Sequence, residues 1–164
     1  MTLRDGGPHS RWHQAEEALR IIVPAVCLAN ANGATMYVFS SQHERVAGCK
    51  TAADVDHVFQ RHSPGGTTNL HPVLVAVIGE HRQSFPQDGR PTSVLIIHDG
   101  EPNQPAAVKT LLRETSNMVS SDSELYFSFI QCGQDEGATR FLEELDCGLN
   151  AQHDIVGQNF LLAK

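Results

Sequence analysis

The run T-S-V-L-I-I-H-D-G-E-P-N, Thr92 to Asn103, constrains this chain more than any other segment. It is an unbroken apolar, β-branched stretch that stops at an aspartate and a glycine turn, which reads as a strand of a sheet covered on both faces. Parallel sheets of that kind bind ligands in the crevice beyond the carboxyl ends of their strands. Asp99 stands at such an end, and a carboxylate placed there suits a cation.

A second informative loop lies upstream, S-P-G-G-T-T-N-L from Ser63 to Leu70. Its glycine pair makes a tight turn, and its threonines open a helix predicted over Leu70 to Ser84. A hydroxyl and a carboxylate on neighbouring loops suit magnesium, manganese or calcium, because hard cations take oxygen ligands and keep several waters. The residues alone equally allow Thr68 as a helix cap and Asp99 as a turn former.

The rest of the chain alternates helical and extended patterns. Behind a capping Ser10, the spacing of Trp12, Ala15, Leu19, Ile22, Val23 and Val26 predicts an amphipathic helix broken or kinked near Pro24. Ala34 to Ser40 reads as a strand, with a shorter one near Arg45 to Cys49 turning back beside it, and Thr51 caps a helix to about Arg61. Leu70, Val73, Leu74, Val77 and Ile78 mark the next helix, and Phe85 to Pro91 reads as turn. Val108, Leu111, Leu112 and Thr115 place a further helix, Leu125 to Gln131 a strand, Ala138, Phe141, Leu142 and Leu145 a last helix, and Ile155-Val156 a short final strand. The alternation predicts one α/β domain over residues 1–164, a mostly parallel sheet with helices on both faces.

The two loops carry a resemblance. G-G-T-T-N-L-H-P-V-L followed by V-L-I-I-H-D-G-E-P-N resembles the second and third metal-site segments of the von Willebrand factor A family. F-S-F-I-Q-C-G-Q-D-E-G-A-T-R-F-L-E-E-L-D and the later D-I-V resemble its intracellular branch, associated with tellurium resistance and stress responses. The resemblance runs from Arg11-Trp12 to Val156. It implies a doubly wound, Rossmann-like sheet and a metal-ion-dependent adhesion site, built in the family from an Asp-x-Ser-x-Ser loop, a threonine and an aspartate. Matched through Leu70, Pro72 and Leu74, the threonine is Thr68, with Thr67 second, and the aspartate is Asp99. The sequence begins M-T-L-R-D-G-G-P-H-S-R-W and contains no Asp-x-Ser-x-Ser, so the family's first strand and first ligand loop are expected to be missing. Asp5-Gly6-Gly7-Pro8-His9 offers glycine and histidine where serine hydroxyls should stand and reads as the loop beyond the motif; only tight metal binding would imply that Asp5 or His9 replaces the missing loop. With Thr68 and Asp99 alone, magnesium, manganese or calcium is expected to bind weakly or not at all.

A missing central strand would leave Ala34 to Ser40 and Thr92 to His98 with unpaired backbone groups. They are expected to pair with each other or to be bridged by another chain, which allows a homodimer through exposed sheet edges. Around Asp99, His98 is expected to pack on the opposite face and Glu101 to be a solvated turn residue, while Asp135 and Glu136 read as helix-start acids.

Composition narrows the function classes. The net charge is -7, and the 12 Lys and Arg residues are scattered, which argues against a nucleic-acid surface. No apolar run reaches the roughly 20 residues of a membrane helix and no secretory leader is evident, so an intracellular, cytoplasmic protein is expected. The 4 cysteines, Cys27, Cys49, Cys132 and Cys147, form no C-x-x-C pair and are expected to be reduced. The expected function is protein binding, with the partner offering a carboxylate to the metal site. An enzyme is not expected, since no G-x-S-x-G, P-loop or G-x-G-x-x-G is present. The alternatives are a receiver-like phosphoacceptor domain using Asp99, and a metal-free structural or dimerisation domain.

Overall fold

The computed structural model describes residues 10–161, so Asp5 and His9 lie outside the described residues. The chain divides into two compact units, one carried by the residues up to Gly66 and the other by Thr67–Leu162.

The first unit holds α1 (Arg11–Cys27), β1 (Ala34–Phe39), β2 (His43–Cys49) and α2 (Ala52–Arg61). Ser10 caps α1, its hydroxyl accepting from the His13 amide at 3.3 Å. Pro24 does not break this helix, which continues to Cys27. A proline removes one donor from the ladder, and packing of Ala15 and Val23 into the core offsets that loss. Val26 is 51% exposed and so leaves the predicted apolar stripe, because it follows the proline on the helix's last turn. Thr51 and Asp54 form a reciprocal capping box on α2, worth about 1 kcal/mol for such caps. The Asp54 carboxylate accepts from the Lys50 and Thr51 amides at 2.9 and 2.8 Å, and these bonds hold it below the usual carboxylate range. Trp12 of α1 stacks on Phe59 of α2 with ring centroids 4.5 Å apart, and Arg20 pairs with Asp56 between the same helices.

Strands β1 and β2 form an antiparallel hairpin that pairs Phe39 with His43 and Ala34 with Cys49. At its open end Gly33 has φ +83°, and a side chain there would meet the Cys49 carbonyl oxygen at 2.9 Å and the Gly48 carbonyl carbon at 3.0 Å. Only glycine satisfies both demands. The Cys27 thiol donates to the Cys49 carbonyl at 3.4 Å, and Cys27, Cys49 and Cys132 are all unoxidised. Burial, helped by Asp54 and Cys27, pushes the Cys49 thiol up.

The second unit holds α3 (Leu70–Asp88), β3 (Thr92–His98), α4 (Pro105–Ser116), β4 (Leu125–Cys132), α5 (Glu136–Gly148) and β5 (Val156–Leu161). Helix α3 runs past Ser84 and through Pro86, so the expected turn from Phe85 starts only at Gly89. There a left-handed residue (φ 63°) ends the helix, and its amide donates to the Phe85 carbonyl at 2.8 Å. The three strands form a parallel sheet in the order β3-β4-β5. Thr92 registers with Leu125, and Phe127 with Val156. Leu70, Leu74 and Ile78 of α3, Val108 and Leu112 of α4, and Ala138, Phe141, Leu142 and Leu145 of α5 are all buried, as are Leu125, Phe127 and Phe129 of β4. The helix residues among these are positions that the helical spacing picks out, whereas Val77 and Leu111, picked out by the same spacing, are only half-buried.

The chain is therefore α/β, with a parallel three-stranded sheet and a separate antiparallel hairpin. Strand β3 pairs with β4 alone among the described residues of its unit.

Two of the positive-φ glycines, Gly33 and Gly89, give a paired test. Gly89→Ala meets open space and is expected to cost about 1 to 2 kcal/mol from left-handed strain alone. Gly33→Ala adds a clash with backbone that cannot step aside, so it is expected to cost at least about 1 kcal/mol more. Urea midpoints of the two variants against the parent measure the difference.

Candidate functional site

The carboxyl end of β3 is organised by main-chain bonds from the loop before α3. The Thr68 carbonyl accepts from the Leu70 amide and from the Asn103 amide, both at 3.0 Å. The second bond ties the segment after β3 to the segment that carries the threonines. The Thr68 hydroxyl lies over Gly100, 3.7 Å from where a side chain on that glycine would begin. Thr68 and Asp99 are both half-buried, whereas Thr67 is exposed. The fold thus brings the Thr68 hydroxyl beside the residue that follows Asp99.

Thr68 does not cap α3. Asn69 occupies the cap position, and no side chain makes a capping bond there. The sequence left cap and ligand equally open for Thr68, and the helix starts one residue later than a threonine cap requires.

His98 faces the core, as strand alternation implies. It is 2% exposed, and its ring meets Phe129 and Phe141 edge-on with centroids 6.1 and 6.5 Å away. Its Nδ1 lies 3.0 Å from the Gly100 carbonyl, so that nitrogen carries the hydrogen and donates it, and Nε2 holds a lone pair with no hydrogen-bond partner. Burial lowers its pKa below the ordinary value of 6.5, and the opposing pull of the Gly100 carbonyl, Asp99 and Asp135 is weaker. His98 is a neutral strut that shapes the Asp99 turn through Gly100.

Two carboxylates stand near this turn. Glu101 is exposed, and its carboxylate lies over Gly137 in the first turn of α5, 2.9 Å from where a side chain there would begin. Asp135 caps that helix, its carboxylate accepting from the Ala138 amide at 2.7 Å. Glu136 is the acid of the first turn, so both helix-start acids stand where the helix dipole favours them. Gln131 was not singled out from the sequence, yet it is 1% exposed and organises this loop. Its amide nitrogen donates to the Gly133 and Asp135 carbonyls at 3.3 and 3.0 Å, and its oxygen accepts from the Thr139 hydroxyl at 3.1 Å. Its place after alternating buried Leu125, Phe127 and Phe129 is the signal that marks it as an inward polar residue.

The fold also buries a polar array at the opposite end of β3, which the sequence did not reveal. His81 of α3 is 4% exposed, with Nδ1 2.9 Å from the Thr92 hydroxyl and Nε2 3.3 Å from the Glu124 carboxylate. The other Glu124 oxygen accepts from the Ser120 amide at 2.7 Å. Burial raises the Glu124 carboxyl, but the bonds from Ser120 and His81 together outweigh it and leave it lowered.

Among the described residues, no group of 3 or more His, Cys, Asp or Glu side chains is arranged to hold a metal ion. A cation at the β3 turn would therefore rest on Asp99, the Thr68 hydroxyl and water. No helix of the described residues is long and apolar enough to cross a membrane. The chain matches no family model and no curated protein sequence.

The buried neutral His98 fixes a pH dependence. Its folded pKa lies below the unfolded value, so its contribution to stability is complete above about 6.5 and is lost as the pH falls below that value, by up to about 1.4 kcal/mol per pH unit. His98→Gln, which cannot titrate, is expected to flatten the decline of the urea midpoint in that window. Nitrogen chemical shifts of the parent ring should report the Nδ1-protonated form.

Proposed function

We propose that this chain is a protein-interaction module of the von Willebrand factor A type, with an incomplete metal-ion-dependent adhesion site. The observation that carries the reading is the bond from the Asn103 amide to the Thr68 carbonyl, which sets the Thr68 hydroxyl over the turn that Asp99 begins. In this reading Thr68 offers a hydroxyl and Asp99 a carboxylate to a magnesium or manganese ion, directly or through water, and calcium is the third candidate. The bound ion would take a carboxylate from a protein partner. The three-stranded parallel sheet then belongs to a doubly wound domain spanning residues 1–164, in an intracellular protein without enzymatic activity of its own.

The donor set is small, which limits affinity. Hard divalent ions usually need more fixed oxygen ligands than one hydroxyl and one carboxylate. Magnesium or manganese is expected to bind no more tightly than millimolar, about 4 kcal/mol at the one-molar standard state. Calorimetry, with amide shifts of Thr68 and Asp99 followed during the titration, measures this. Micromolar binding would overturn the two-residue site, and shifts confined to residues elsewhere would remove Thr68 and Asp99 from it.

Asp99 is proposed as a ligand and not as a structural support. Asp99→Ala is accordingly expected to keep stability within about 1 kcal/mol of the parent, in the range of surface substitutions, while removing the metal-dependent shifts. A large loss of stability would instead make Asp99 a turn-holding residue. A receiver-like phosphoacceptor is the alternative chemistry for the same carboxylate. Intact mass after treatment with a small phosphodonor separates the two, because an acyl phosphate on Asp99 belongs to the receiver alone.

A further inference from the structure

The edge of the parallel sheet at β3 is unusually open. The Thr92 amide donates to the Glu124 carbonyl at 2.9 Å, so the backbone groups of Thr92, Val94, Ile96 and His98 point towards β4. Those of Ser93, Leu95 and Ile97 point the other way, where no strand of the described residues pairs with them. Edge strands are normally blunted by lysine, proline or a bulge. Within T-S-V-L-I-I-H there is no charge and no proline, and its register against β4 is continuous. Ser93 is exposed and Leu95 is 37% exposed, so the edge is reachable.

We propose that β3 pairs with β3 of a second copy of this chain, antiparallel, across a two-fold axis at Leu95. The sequence of the edge is self-complementary in that register. Leu95 faces Leu95 of the second copy, and Ser93 faces Ile97, so every outward donor meets an outward acceptor. No like charges face each other along the strand. In the antiparallel direction Arg90, two residues before the strand in one copy, comes to the end where Asp99 and Glu101 follow the strand in the second copy, and both Arg90 and Glu101 are exposed. That charge match needs the antiparallel direction; a parallel pair would set each Arg90 beside the other. Strand β1 is also uncharged, but it belongs to a two-stranded hairpin and has no charged residue at either end to fix a partner's direction. The pairing joins the two three-stranded sheets into one and brings a cationic side chain of each copy to the Asp99 turn of the other.

This inference does not rest on cation binding at Thr68 and Asp99, since the groups it uses are backbone and Arg90. The test is light scattering coupled to size exclusion on the full chain, across a concentration series, with Leu95→Lys and Leu95→Glu. The parent should form a dimer. Each variant should weaken self-association by at least about tenfold, because like charges directly opposite are destabilising. Mixing the two variants in equal amounts should restore a dimer that contains one of each, read by native mass spectrometry. That restoration also shows that both variants are folded. A parent that stays monomeric throughout overturns the proposal, as does a dimer that persists undiminished in both variants. Monomeric variants that fail to combine, while their circular dichroism matches the parent, overturn the two-fold register at Leu95.

Discussion

The central strand of a parallel sheet passes its main-chain bonds to neighbours on both sides, and β4 is that strand. It lies between β3 and β5, and Leu125, Phe127, Phe129 and Cys132 along it are fully buried. Around it the second unit closes, with α4 and α5 bridging the two parallel pairs as crossover connections must. The Phe129, Phe141 and His98 rings meet edge-on at 6.1 to 6.5 Å, which makes the core continuous from β4 to α5 and to the end of β3. The geometry of the Asp99 turn depends on that core, because His98 both packs in it and holds the Gly100 carbonyl.

The apolar pattern made most of this architecture legible. Where the side chains are apolar and the spacing regular, as in Leu70 to Ile78 or Ala138 to Leu145, the helices and their buried faces follow from the sequence. The cap at Thr51 and the helix-start acids Asp135 and Glu136 were likewise visible, because such signals are local chemistry, although the reciprocal bond from Asp54 and the capping bond of Asp135 were not. Prolines misled in one direction. Pro24 and Pro86 suggested a break and a turn, yet both helices continue through them, since tertiary packing outweighs one lost ladder bond. The pairing partner of each strand was not legible from strand propensity, which reports that a segment is extended and not which strand it will meet.

The candidate site was legible in its residue types and less so in its support. Thr68 and Asp99 were picked out by their position beside glycine turns, and the fold does bring those two loops into one place. The groups that hold the place are a carbonyl of Thr68, an amide of Asn103 and the side chain of His98, while Gln131 holds the neighbouring loop before α5. Main-chain groups leave no trace in a sequence. A lone glutamine or histidine in a strand has no fixed spacing to its partners, so only the folded chain shows what Gln131 and His98 bind.

Strand β3 also separates stability from binding along its own length. Its seven residues span about 20 Å at the rise of a parallel strand. At the first residue, Thr92 joins His81 and Glu124 in a buried array, where removing one member would leave a polar or charged group without its partner. At the far end, Asp99 and Glu101 sit on a turn that is half-buried to exposed and is held mainly through the backbone. Substitutions at the first end act on folding, while the second end can change its side chains with little effect on the core. A strand anchored at its start and left adaptable at its finish can carry such a turn, because the Asn103 amide on the Thr68 carbonyl and the His98 ring on the Gly100 carbonyl tie the segment around Asp99 in place.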